Sequence, residues 1–141
     1  MFTDELLFIA PEGDFLANAA GGFARQVLVV SVAEPGFAQG REFLAKVLAA
    51  AKLDFDKDTL FVEIPENEPL ALVRAAQRKH AGVVLVFGIL PAQAGLNVQA
   101  NFYQPLQFGG TTFLFSEKLS LLEPDRDRKG KLWNALKIIF L

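Results

Sequence analysis

Residues 81–88 read AGVVLVFG, with Val83, Val84, Leu85, Val86 and Phe87 in unbroken apolar succession. Side chains of a strand point alternately to its two faces, so a strand that is apolar at every position must be buried on both. That is the condition of a strand inside a parallel sheet covered by helices on each side. This run is therefore read as the central strand. Gly88 lets the chain leave the strand end closely, and residues 89–96, ILPAQAGL, follow as a loop punctuated by Pro91 and Gly95. In open α/β sheets, ligands sit in the crevice beyond the carboxyl ends of the strands. This loop is expected to wall any site.

The flanking sequence supplies the rest of such a sheet. Residues 26–33, QVLVVSVA, have the β-branched density of a strand, and residues 34–40, EPGFAQG, are a loop. Residues 41–52 are predicted helical: Phe43, Leu44, Val47, Leu48 and Ala51 share one face, while Arg41, Glu42 and Lys46 lie towards the other. Residues 54–58 are a charged connection, and 59–64, TLFVEI, are a strand stopped by Pro65. Asn67 or Glu68 precedes Pro69 at the opening of a helix that runs to about His80, with Leu70, Val73 and Ala76 inward.

Residues 98–108 are aromatic and Gln-rich and show no clear period. Gly109 and Gly110 precede a strand at 111–115, and residues 118–122 suit a single helical turn. Pro124 opens a last helix from Asp125 to about Phe140, with Asp125 and Asp127 complementing its dipole. Leu132, Trp133, Leu136, Ile139 and Phe140 form its apolar stripe. Near the amino terminus, residues 6–10 are a short apolar piece, 11–14 a turn, and 15–23 either a weak helix or a loop. The alternation predicts an α/β fold: a three-layer sandwich about a mainly parallel four-stranded sheet joined by right-handed crossovers. No repeat or boundary divides the chain, so residues 1–141 are read as one domain, with 1–25 a peripheral segment.

Composition narrows the function classes. A chain of 141 residues that is 52% hydrophobic can bury one sizeable core. Its net charge of −2 offers no general attraction to a phosphate backbone, so direct nucleic-acid binding is expected to be weak or absent. The chain has no cysteine and hence no disulfide, thiolate nucleophile or usual structural zinc site. Acidic residues stand where a signal peptide needs a positive start, and no apolar run approaches the ~20 residues of a membrane span. A cytoplasmic protein without membrane association, metal or cofactor is expected.

Few residues invite chemistry. His80 is the single histidine, and its place suits a helix end near the negative pole of the dipole. Glu34 lies at the carboxyl end of the first strong strand, where a general base or substrate ligand would sit, although the simpler reading is a solvated loop carboxylate. Gly36 and Gly40 form neither a dinucleotide fingerprint nor a phosphate loop. Ser116, Glu117 and Lys118 follow the last strand and either face the same crevice or cap the next turn. The run DRDRKGK, 125–131, reads as a solvated helix face of mixed sign. Phe102 and Tyr103 are core residues or exposed rings able to stack or to fill a partner's pocket.

Three stretches together resemble the uracil-DNA glycosylase fold superfamily. Residues 36–54, GFAQGREFLAKVLAAAKLD, are similar to its Gly-containing turn and Leu-rich helix. Residues 83–96, VVLVFGILPAQAGL, resemble its strand, Gly and Ala-x-x-x-Leu loop. Residues 119–137, LSLLEPDRDRKGKLWNALK, resemble its closing Leu-Leu, Pro, Lys, Trp, Leu pattern. The resemblance implies a glycosylase-type sandwich, but the catalytic loops depart from it. Glu34 is the one acid left in the shortened first loop, and Phe115-Ser116-Glu117-Lys118 stands where the family carries a His-Pro-Ser-like loop. A departing anionic base would meet Glu117 instead of a hydrogen-bond donor, against the electrostatics of cleavage.

A non-catalytic branch with this fold, the psi subunits of the bacterial DNA polymerase III clamp loader, is similar over the Leu-rich turn, Pro and Leu-Trp helix. The resemblance implies an adaptor for protein partners in DNA replication, such as clamp-loader subunits, with residues 2–9, FTDELLFI, as a bridging peptide or an edge strand. Its expected binding residues are Glu34, Phe37, Gly88, Phe102, Tyr103, Ser116 and Glu117. The alternative is a hydrolase of a nucleobase or nucleoside-like substrate with Glu34 as general base.

Overall fold

The computed structural model describes residues 16, 19–66, 69–96 and 101–141. The chain runs β1 (Val27–Val32), α1 (Gly40–Ala50), α2 (Phe55–Asp58), β2 (Thr59–Ile64), α3 (Leu72–Lys79), β3 (Val83–Phe87), β4 (Leu106–Phe108), β5 (Thr111–Ser116), α4 (Leu119–Leu122) and α5 (Arg126–Phe140). The sheet has the order β2-β1-β3-β5-β4, which puts β3 in the middle. β2, β1, β3 and β5 are parallel, and β4 is antiparallel to β5.

Alternation along the strands divides the core between two faces. Val27 and Val29 of β1, Leu85 and Phe87 of β3 and Leu114 of β5 pack with Leu44 and Leu48 of α1 and Leu132 and Leu136 of α5. Leu28, Val30, Val84, Val86, Phe113 and Phe115 pack on the opposite face with Leu72 and Ala76 of α3 and with Ile89, Ala94 and Leu96 of the following loop. All six residues of β1 are buried, so its apolar run reflects two covered faces. Each fully buried Val, Leu or Phe contributes about 1.5–3 kcal/mol, which makes this central ladder the main source of stability.

The sheet has five strands where four were expected. Gly109 and Gly110 both take positive φ, 60° and 82°, and form the two-residue link of a hairpin. Phe108 thereby faces Thr111, and residues 106–108 become a strand only by pairing back on β5. The sheet is consequently mixed, though mostly parallel.

Local chemistry also corrects several boundaries. The charged connection at 54–58 contains a helical turn: the Asp54 carboxylate accepts from the N–H groups of Asp56 and Lys57, both at 2.9 Å. In return the Asp58 carboxylate accepts from the Asp54 N–H at 2.8 Å. Helix α3 begins at Leu72, because Leu70 donates its N–H to Gln93 O at 2.8 Å and belongs to the loop contact. Its buried face is accordingly Leu72, Ala75 and Ala76, while Leu70 and Val73 are only partly covered. Asn67 and Glu68, expected at this helix start, lie outside the described residues, as do residues 2–9 and the turn at 11–14. The far edge of β2 is covered by Ala20, which exchanges backbone hydrogen bonds with Phe61 at 2.9 and 2.8 Å.

Candidate functional site

Connections from β1 and β3 leave the sheet on opposite faces. The loop after β1 enters α1, whereas Ile89, Ala94 and Leu96 after β3 pack on the α3 face. Adjacent parallel strands whose connections diverge open a crevice at their carboxyl ends. Here it is a depression of about 450 Å³, walled by Glu34 after β1, Gly88 and Leu90 after β3, and Glu117 and Lys118 after β5. Phe102, Ser120 and Leu121 complete the mouth. Gly88 adopts φ +79°, and a Cβ there would come within 2.5 Å of Val32 Cγ1 and 2.9 Å of Lys118 Cγ. The absence of a side chain keeps this wall close to its neighbours.

The Glu34 carboxylate is held by α4. Ser120 donates its backbone N–H to Oε2 at 3.3 Å and its hydroxyl to Oε1. Both are neutral donors, and among the described residues no cation forms an ion pair with Glu34. Glu34 thus ties the loop after β1 to the helical turn after β5.

Glu117 is the centre of a second network. Its Oε1 accepts from the Tyr103 hydroxyl at 2.7 Å and from Arg128 Nε at 2.8 Å. Arg128 Nη1 continues to Asp125 Oδ2 at 2.5 Å, while Asp125 Oδ1 accepts the Arg128 N–H at 3.1 Å and caps α5. Burial raises the Tyr103 phenol well above its ordinary value, and the Glu117 carboxylate adds to the shift. The hydrogen bond from the Arg128 backbone leads the causes that lower Asp125. Lys118 pairs with Glu66 at 2.8 Å, which raises the ammonium pKa.

Of the residues expected to bind, Glu34, Gly88, Phe102 and Glu117 meet at the depression. Tyr103 reaches it through Glu117. Phe37 is half-buried and packs against the α1 and α5 core. Ser116 is fully buried at the end of β5, and its hydroxyl is the one buried side-chain polar atom among the described residues with no hydrogen-bond partner. His80 caps α3 in the left-handed conformation and precedes β3, at the end of the sheet away from the crevice.

Leu90, Ser120, Leu121 and Arg128 escaped the sequence reading. Arg128 lies inside a run of mixed sign that reads as a solvated helix face, and nothing in LSLL distinguishes an exposed Leu121 from its buried neighbours Leu119 and Leu122. A separate groove of about 470 Å³ runs between α1 and α5, where Phe43, Val47 and Trp133 are half-buried and not sealed in the core. No group of His, Cys, Asp or Glu able to hold a metal ion occurs among the described residues. Nor is any helix among them long and apolar enough to cross a membrane.

The fold and crevice define an α/β domain with a mostly parallel five-stranded sheet and a shallow, acid-lined opening at its carboxyl end. No protein-family model matches the chain, and no curated protein matches it.

Proposed function

We propose that this chain is a non-catalytic binding module on a three-layer, uracil-DNA glycosylase-type sandwich, and that it acts as an adaptor between proteins. The supporting observation is the state of the crevice acids. Both oxygens of Glu34 are engaged by Ser120, and Glu117 is engaged by Tyr103 and Arg128, while Leu90, Phe102 and Leu121 stand exposed around them. A general base needs an oxygen aimed at a reacting proton, and an acid catalyst needs a poised partner. Exposed apolar side chains around acids that the fold already positions suit a contact surface instead.

Residues 119–136 carry the resemblance to psi subunits, and on it the partners are clamp-loader subunits. Residues 2–9, the proposed bridging peptide, lie outside the described residues. Mixing the chain with purified clamp-loader subunits from its source organism and sizing the mixture tests this reading. Co-elution that Leu121→Asp abolishes is the expected result; separate elution at micromolar concentrations overturns the clamp-loader assignment.

One observation favours the hydrolase reading: Glu34, Glu117 and Leu90 do converge on one depression. Incubation with uracil-containing DNA and with a nucleoside panel is expected to release no base. Release that disappears in Glu34→Ala would establish the enzyme instead.

A further inference from the structure

Resting on the binding-module reading, the chemistry of the crevice defines what it holds. The large apolar side chains exposed among the described residues are Leu90, Phe102, Phe108, Leu121, Ile138 and Leu141, and three of them surround this depression. They are 56%, 39% and 44% exposed for Leu90, Phe102 and Leu121, enough to lose substantial apolar area to a partner.

The charges around them are unequal. Lys118 is matched by Glu66, and Arg128 is shared between Glu117 and Asp125. Glu34 has the neutral Ser120 donors and, among the described residues, no ion pair; the Lys118 ammonium feels its charge but makes its contact with Glu66. Glu34, Glu66, Glu117 and Asp125 thus outnumber Lys118 and Arg128 by two, and of the acids that line the depression Glu34 is the one without an ion pair among the described residues. A carboxylate oxygen with one hydrogen bond keeps acceptor capacity for another, and a cation is the partner that would use it best. A phosphate chain would meet this charge with its own.

We infer that the crevice binds a peptide segment of a partner protein that lays apolar side chains on Leu90, Phe102 and Leu121 and sets a lysine or arginine against Glu34. The apolar contacts supply affinity, and the ion pair supplies the choice of sequence.

Two immobilised peptide libraries test this, each fixed for an aliphatic and an aromatic residue with a central lysine in one and glutamate in the other. The lysine library is expected to retain about tenfold more of the chain, the scale of one modest charge pair. High salt should shrink that preference in the unmodified protein. Glu34→Gln, which keeps an acceptor for Ser120, should remove the preference, and Leu121→Asp should reduce retention on both libraries.

Equal retention on the two libraries overturns the inference and leaves the binding-module reading standing. A preference that survives Glu34→Gln also overturns it, because the charge would then be read elsewhere. Retention by neither library, together with separate elution from clamp-loader subunits, sinks both readings. Displacement by a single-stranded oligonucleotide would replace the peptide with nucleic acid.

Discussion

The Tyr103 hydroxyl meets the Glu117 carboxylate at 2.7 Å, joining the segment before β4 to the residue just after β5. The Tyr103 N–H also donates to Phe115 O at 2.9 Å, so backbone and side chain fasten the same two segments. Arg128 then extends the clasp into the first turn of α5. One carboxylate thus holds together the aromatic wall of the crevice and the helix behind it.

Tyr103 is the single tyrosine, so its ionisation can be followed by phenolate absorbance. The folded protein should show no phenolate near pH 10, the ordinary tyrosine value. A raised folded pKa gives stability that is complete below the unfolded value and is lost as pH rises through the folded one. Tyr103→Phe should cost about 1 kcal/mol near neutrality and remove that alkaline loss. Ordinary ionisation in the intact fold would contradict the clasp.

Asp125 predicts the opposite limb. Its folded pKa is depressed, so its contribution is present above the unfolded value of about 3.9 and is lost as pH falls through the folded one. Asp125→Asn keeps an acceptor for the Arg128 N–H but cannot titrate. Urea midpoints of the variant should therefore fall less than those of the parent across this acid window.

Gly88→Ala would put a Cβ against Val32 and Lys118 at φ +79°. The strain and crowding together should cost roughly 1–3 kcal/mol in urea unfolding. Gly36→Ala is the control: nothing lies within 4 Å of its Cβ, and its midpoint should hardly move.

Phe87 is 1% exposed on the central strand and packs in the core towards α1 and α5. Phe87→Ala should lose about 3–5 kcal/mol through lost transfer energy and the cavity left behind. A loss below 1 kcal/mol would show that this face of the sheet is poorly packed.

Strands β1 and β3 are legible because each is a compact, almost unbroken apolar run whose burial comes from being covered, and β2 because Leu60, Phe61, Val62 and Ile64 stand together before Pro65, although Glu63 stays exposed. The stripe of α5 was legible through Leu132 and Leu136, though it also includes Ala135. Likewise, Glu34 and Glu117 could be placed at the carboxyl end because strand ends follow from the runs. The third residue of the site to be so placed, Gly88, followed from the same rule.

β4 was not legible: Leu106, Gln107 and Phe108 are half-buried or exposed and form a strand only against β5. The crevice partners were hidden for the same reason. Ser120 lies 86 positions from Glu34, and Arg128 reaches Glu117 across the turn into α5, so neither pair has a local signature. Hydrophobic periodicity decides which segments must be covered, because burial is an average over a whole face. Which oxygen meets which donor, and which leucine stays in water, depends on distances that exist only once the faces have been brought together.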